Sequence, residues 1–343
     1  MRCKFAALLL ALSLLPLFAL PAAAADVGVS FSDVPETHWA AASIRWASEY
    51  KLLEGTGNGR FGLGQKMSRA AYVTALCRLM KWELLTPEQA TFSDVAPGKW
   101  YFSAVETAYA HGAIVAPGGA FRPDEDITRE EMAAMTVRAM GCALLSGSVQ
   151  DDCPFTDVSA NQGYIALAYR MGFITGVSAT TFLPKATALR EEAAVILLRA
   201  YDRLHAKVQK VTAETLPEGV PEALAAVSTE GNIPVSPRAG YLAIYRAAAG
   251  SETVALHTAP CAQNVKQNGT VGESRLLTAE ELAALLADEK TLTYTAAAHG
   301  SSYLLHREKD GSTTVVWYES EEQLAEKTRF CRLLGVKTIY LLP

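Results

Sequence analysis

Apolar residues recur at helical spacing in pairs of stretches along the first two thirds of the chain. Trp39, Ala42, Ile44, Trp46 and Ala47 share one face of a helix that ends near Leu53. Tyr72, Leu76, Leu79 and Met80 give a second such face. Val105, Ala108 and Tyr109, then Met132, Met135, Val137 and Met140, repeat the arrangement, and methionines at this spacing predict core packing. From Ile233 onward the period changes. Tyr241–Tyr245, Thr253–His257, Leu292–Thr295, Ser302–His306, Thr313–Tyr318 and Val336–Leu342 read as short strands, with a hairpin turn at Lys309–Ser312. Capping boxes at Thr278 and Ser320 open two helices among them. The pattern predicts a mainly α N-terminal module followed by a small α+β domain. The expected divisions are repeats at 26–85, 86–147 and 148–205, a linker at 206–232 and the α+β domain at 233–343. The linker is marked by Leu216-Pro217-Glu218-Gly219-Val220-Pro221, and a short helix is expected over Glu222–Val227.

The helix pairs are copies of one unit. Phe61, Phe121 and Phe182 each stand eight residues before Arg69, Arg129 and Arg190. Upstream, Phe31-Ser32-Asp33-Val34, Phe92-Ser93-Asp94-Val95 and Phe155-Thr156-Asp157-Val158 recur with nearly the same offsets. Each unit needs its neighbours to cover its apolar face. In the second unit Thr128 and Glu131 form a capping box, and Arg129 stands at the first helical position. Free N–H groups and the positive end of the helix dipole favour an anion there, and a guanidinium can hold a carboxylate with two parallel hydrogen bonds. Ser68 caps the first unit's helix, but Ala71 stands where the capping-box Glu is expected; Leu189 replaces the capping residue in the third. Trp39 and Trp100 each lie six residues after Asp33 and Asp94, and the third unit has Tyr164 as its nearest aromatic. The plainest expectation for the tryptophans is that they seal the helix pairs, and for Asp33, Asp94 and Asp157 a turn or capping role.

The segment FSDVAPGKWYFSAVETAYAHGAIVAPGGAFRPDEDITREEMAAMTVRAM resembles an S-layer homology (SLH) repeat of bacterial surface proteins. The family opens with F-x-D-V, continues with a Trp, a first helix and an F-x-P turn, and starts its second helix with T-R-A-E. Three such copies cover about residues 28–205. The resemblance implies a pseudo-threefold module of helix-loop-helix units that anchors proteins non-covalently to a secondary cell-wall polysaccharide, commonly a pyruvylated one, in association with peptidoglycan. The ligand residues it implies are Arg129, Thr128, Glu131, Trp100 and Asp94 in the second repeat. They are Arg69, Ser68, Trp39 and Asp33 in the first, and Arg190 and Asp157 in the third. The intact capping box and Trp rank Arg129 first, Arg69 second and Arg190 last.

Composition narrows the compartment and the chemistry. Arg2 and Lys4, the apolar run Phe5–Leu20 and Ala22–Ala25 read as a secretory signal peptide over residues 1–25. No later segment is apolar enough to span a membrane, so the expectation is a secreted protein of the cell wall or S-layer surface. A net charge of −5 argues against nucleic acid as a partner. Cys77, Cys142, Cys153, Cys261 and Cys331 show no metal-ligand spacing, and a buried free pair is favoured over a Cys142–Cys153 bridge. Asp124, Glu125 and Asp126 fit no calcium-loop template. No cofactor and no metal site are expected.

The C-terminal stretch from LLTAEELAALL through VVWYESEEQLAEKTRFCRLLGVKTIYLLP resembles the closing third of a family 18 glycosidase-like barrel. That family's acid lies in D-x-x-D-x-D-x-E, which this chain lacks, and Glu319 has no placed partner for hydrolysis. The reading is therefore a surface-anchored display protein with a non-catalytic C-terminal domain and no catalytic residues. The alternatives are a cell-wall glycan hydrolase of family 18 type, and a module whose decayed repeats serve as a spacer.

Overall fold

The computed structural model describes residues 29–115, 119–223, 240–297 and 299–343. The expected signal peptide, and residues 224–227 of the expected linker helix, lie outside them. Six helices build the repeats: α1 (Ala41–Glu49), α2 (Arg69–Met80), α3 (Phe102–Ala110), α4 (Arg129–Ala139), α5 (Gln162–Arg170) and α6 (Arg190–His205). The first helix of each repeat packs on the second helix of the repeat before it, as α3 on α2, α5 on α4, and α1 back on α6. No repeat therefore closes its own core, the physical reason such units occur in series. Where α5 passes the 3-10 turn Ala143–Ser148, a Cβ on Gly163 would overlap the Ser146 carbonyl oxygen, so only glycine allows the approach.

Backbone hydrogen bonds close the three repeats into a ring. Ile127 N–H donates to the Met67 carbonyl at 2.8 Å, Met67 N–H to Ala188 at 2.9 Å, and Ala188 N–H to Ile127 at 2.9 Å. All three residues are buried, so these unpaired loop groups satisfy one another where water cannot reach. Met132, Met135 and Met140 are core residues, as their spacing predicts.

The C-terminal part comprises β1 (Gln209–Thr212), α7 (Tyr241–Ala247), β2 (Thr253–His257), β3 (Cys261–Val265), β4 (Arg275–Leu276), α8 (Ala279–Leu286), β5 (Thr291–Ala296), β6 (Ser301–Arg307), β7 (Thr313–Tyr318), α9 (Glu321–Leu333) and β8 (Thr338–Leu342). A parallel three-stranded sheet has the order β1-β8-β2, and an antiparallel five-stranded sheet the order β4-β3-β7-β6-β5. Tyr241–Tyr245, expected as a strand, is the start of α7; five apolar-rich residues are too few to separate the two periods, and Ala243, Ile244 and Tyr245 are all buried. The stretch expected as a linker supplies β1, which lines the edge of β8. Strand β3 was not expected, because Gln263 and Asn264 interrupt its alternation.

The two parts share one core. Ile244, Phe330, Leu333, Leu334 and Ile339 belong to the same buried cluster as Leu197 and Ala200 of α6. Helix α9 lies on α6, and its arginines reach across: Arg329 donates to the Met140 carbonyl at 2.9 Å and Arg332 to that of Leu204 at 2.6 Å. These bonds satisfy carbonyls at the helix C-termini, where a cation is also favoured by the dipole. A second, small cluster of Ala262, Leu277, Leu304 and Val316 lies under α8.

Candidate functional site

The three repeat arginines are held in one way, each by the repeat that follows it in the ring. Arg69 Nε donates to the Phe121 carbonyl at 2.8 Å, Arg129 Nε to that of Phe182 at 3.0 Å, and Arg190 Nε to that of Phe61 at 3.1 Å. Each guanidinium also lies over the ring of the same phenylalanine, 4.7–5.0 Å from its centroid. Such a desolvated cation–π contact contributes on the order of 1–2 kcal/mol. The Phe sits ahead of a sharp turn: Gly62, Arg122 and Leu183, which follow it, all have left-handed backbone (φ 88°, 62° and 58°), a conformation that costs Arg122 and Leu183 strain.

The arginines differ in their acidic partner. Arg69 pairs with Glu131 at 2.6 Å and Arg129 with Glu192 at 2.6 Å. Those are the residues three positions into the next repeat's second helix, where they also accept from the Thr128 and Leu189 N–H groups at 2.9 and 2.8 Å. The corresponding position facing Arg190 is Ala71. Among the described residues no carboxylate lies within ion-pairing distance of Arg190, whose Nη2 donates to the Glu54 carbonyl at 2.6 Å. Burial pulls the Arg190 pKa down, and the charges of Glu191 and Asp33 offset this in part. For Arg69 burial acts the same way, opposed by Glu131 in direct contact.

The helix N-termini are not free donors. Arg69, Arg129 and Arg190 N–H groups bond to the carbonyls of Glu125, Ala186 and Gln65 at 2.9–3.0 Å, and Ala70 and Glu130 N–H groups to Pro123 and Pro184. The expectation that open N–H groups favour an anion at these positions is corrected: the neighbouring loop occupies them. Thr128 completes its capping box with Glu131, and Ser68 accepts from Ala71 N–H at 3.2 Å. Leu189 has no oxygen to cap with, and only the Glu192 half of the box is present.

Asp33, Asp94 and Asp157 hold the loops. Asp33 accepts from Phe61, Gly62 and Leu63 N–H groups at 2.8–3.0 Å, Asp94 from Phe121 and Arg122, and Asp157 from Phe182 and Leu183. Burial alone would raise the Asp33 pKa, but the three N–H donors outweigh it and bring it to about 2. Asp94 is lowered in the same way, and Asp157 chiefly by the Phe182 N–H.

The tryptophans do not seal the helix pairs. Trp39 is 64% exposed and Trp100 66% exposed, so their rings face solvent. Trp39 stands at a groove of about 90 Å³ that also contains Arg129, Arg199, Thr175, Glu192 and Phe182. Residues of all three repeats thus meet in one groove: the Trp39 indole from the first, the Arg129 guanidinium from the second, and from the third the Arg199 guanidinium and Glu192, which pairs with Arg129. Arg199 donates to the Phe173 carbonyl at 3.3 Å. Tyr164, the third repeat's nearest aromatic, is covered by the Arg138 guanidinium at 4.2 Å.

The family described as the S-layer homology domain matches residues 30–73, 91–133 and 154–194. The chain carries three S-layer homology domains. Exoglucanase XynX of Acetivibrio thermocellus is 31% identical over 186 residues, covering 52% of this chain and 17% of that protein. The cellulosome-anchoring protein of the same organism is 33% identical over 138 residues, 39% of this chain and 30% of the relative. The chain thus spans less than a third of the length of these curated relatives. Among solved structures, a chitinase from Chromobacterium violaceum is similar at 15% identity, over 63% of this chain and 70% of that chain, with a TM-score of 0.26, a likeness too slight to fix fold or chemistry. The SLH repeats make this a cell-surface protein, and among the described residues no helix is long and apolar enough to cross a membrane.

What the sequence did not disclose in the SLH ring is the partner of each arginine. The Phe eight residues upstream of an Arg is not the one it rests on; the ring comes from the next repeat. The same shift brings Glu131 to Arg69 and Glu192 to Arg129, and leaves Arg190 facing Ala71. Ala71 is visible in the sequence as a missing capping residue, but its electrostatic consequence needs the ring closure. In the C-terminal part, Glu319 is enclosed, 5% exposed, and bonded to Lys327 and Ser301.

Proposed function

We propose that the SLH ring binds an anionic, pyruvylated secondary polysaccharide of the cell wall through its inter-repeat grooves, and that the C-terminal domain is displayed without catalysing a reaction. The groove where the exposed Trp39 ring meets Arg129 and Arg199 carries this reading. An indole offers an apolar plate to a sugar face, and Arg199, which has no ion pair among the described residues, offers a guanidinium to a ketal carboxylate, whereas Arg129 is already matched by Glu192. On a pseudo-threefold arrangement, the repeat offsets set Trp100, Arg190 and Arg78 in the corresponding places of a second groove, and Ala160 leaves the third, around Arg69, without an indole. Arg190 ranks first, because burial disfavours its charge and no ion-paired carboxylate compensates it. This reverses the order expected from the sequence alone.

Support for the non-catalytic domain comes from the enclosure of Glu319 against Lys327, away from solvent. The deciding experiment is co-sedimentation of residues 26–343 with cell-wall sacculi before and after chemical depyruvylation. Binding lost on depyruvylation is the expected result; equal sedimentation with both preparations would remove the carboxylate from the proposal. Incubation with peptidoglycan and chitin oligomers should give no turnover.

A further inference from the structure

The antiparallel sheet ends at β5, whose other side is hydrogen-bonded to no strand among the described residues. Its sequence, Thr-Leu-Thr-Tyr-Thr-Ala, has no charge, proline or glycine, and four of its six residues are exposed. Proteins usually protect such an edge with a charged residue, a proline, a bulge or a covering element, because its outward N–H and C=O groups form a template for another strand. Here two apolar rows run across one face of the sheet to that edge without a polar residue to end them. One goes from Trp317 through Tyr303 to Tyr294, the other from Val315 through Leu305 to Leu292. Trp317 and Val315 are buried, whereas Tyr294 is 41% and Leu292 59% exposed. Tyr294 stacks on Tyr303 with ring centroids 5.1 Å apart, so the outermost ring is already fixed in place.

We infer that β5 is a self-association edge, on which β5 of a second copy of this chain pairs antiparallel about a twofold axis. The charge pattern favours a second copy. The nearest charged residues, Glu289 and Lys290, lie on the N-terminal side of the strand alone. Antiparallel pairing sends the two sets to opposite ends of the joint. For an axis through Thr293, Lys290 meets Ala296 of the other copy, Leu292 meets Tyr294, and no like charges face each other. A twofold joint is isologous, so one uncharged edge supplies both sides. It would extend both apolar rows into the second sheet and remove the exposed edges of both copies.

Sedimentation velocity on residues 26–343, from 1 to 200 µM, tests the inference. A concentration-dependent dimer is expected, and Leu292→Lys should raise its dissociation constant at least tenfold. Leu292 is exposed, so the variant's melting temperature should stay at the parent value; if it falls, Thr295→Lys, at a second exposed position of the strand, replaces it with the same expected shift. A parent chain that stays monomeric over the whole range, or a dimer unchanged by both lysine variants, would overturn the inference.

Discussion

Arg129 and Arg190 occupy the same place in successive repeats and differ by one neighbour. Each stacks on the phenylalanine of the next repeat and donates to its carbonyl. Arg129 then meets Glu192, while the position that corresponds to Glu192 in the repeat holding Arg190 is Ala71. The same guanidinium is thus a neutralised staple in one groove and a half-buried cation in the other. Repetition fixes where the arginines sit; one departure from it decides which of them has a carboxylate partner.

The largest expected effect separates the two directly. Arg190→Ala should weaken sacculus binding at least tenfold, since a charge-assisted hydrogen bond contributes about 1.5–3 kcal/mol. Arg129→Ala should cost less than about threefold, because its charge is already matched. Sedimentation isotherms on the two variants give the ratio, and a greater loss at Arg129 would break the comparison. Next comes Ala71→Glu, which supplies the missing carboxylate. It should lower binding nearly as much as Arg190→Ala while raising unfolding stability by about 0.5 kcal/mol, as a half-exposed ion pair does. Calorimetry beside the binding assay reads both; unchanged binding with a higher melting temperature would show that the Arg190 charge is not what the polymer uses.

The tryptophans sharpen the comparison further. Trp100→Ala should reduce binding more than Trp39→Ala, by a difference of about 0.5–1.5 kcal/mol, if Trp100 serves the Arg190 groove. Both rings are more than 60% exposed, so neither change should lower the melting temperature measurably. Equal losses would mean that the two grooves are equivalent after all.

Acid provides the smallest and most general test. Phe61, which supports Arg190, is held by Asp33, and Phe182, which supports Arg129, by Asp157. Both carboxyls are held below their ordinary value near 4, Asp33 at about 2. A carboxylate with a depressed pKa contributes its full stability above the unfolded value and loses it as pH falls through the folded one. Unfolding stability should therefore decline between about pH 4 and pH 2, and Asp33→Asn should flatten that decline. A flat profile in the parent chain would remove the loop-holding role assigned to these residues.

Much of the helix pattern in both parts of the chain is legible in local sequence. Thr128 with Glu131, Thr278 with Glu281 and Ser320 with Gln323 all form the capping boxes expected of them, because such bonds span only three residues. Met132, Met135 and Met140 are buried as their helical period requires. Tyr241–Tyr245 reads as a strand in sequence but is helical, because a short apolar run carries no period. Strand β1 is silent in the sequence because four residues with one partly buried position give no alternation; β8, far away in sequence, makes them a strand.

The sequence by itself determined the repeats, their helices, the caps and the residues gathered at each loop, since these depend on spacing within a few turns of chain. Only the tertiary structure decided which residues meet. Each arginine finds its phenylalanine, and Arg69 and Arg129 their glutamates, in the following repeat, more than fifty residues away, and the last repeat must return to the first to complete the ring. The offered helix N-termini were taken by neighbouring carbonyls for the same reason: a buried backbone donor bonds to whatever acceptor the closed ring brings to it. Local pattern cannot encode that choice, because it depends on the register in which three separately formed units pack.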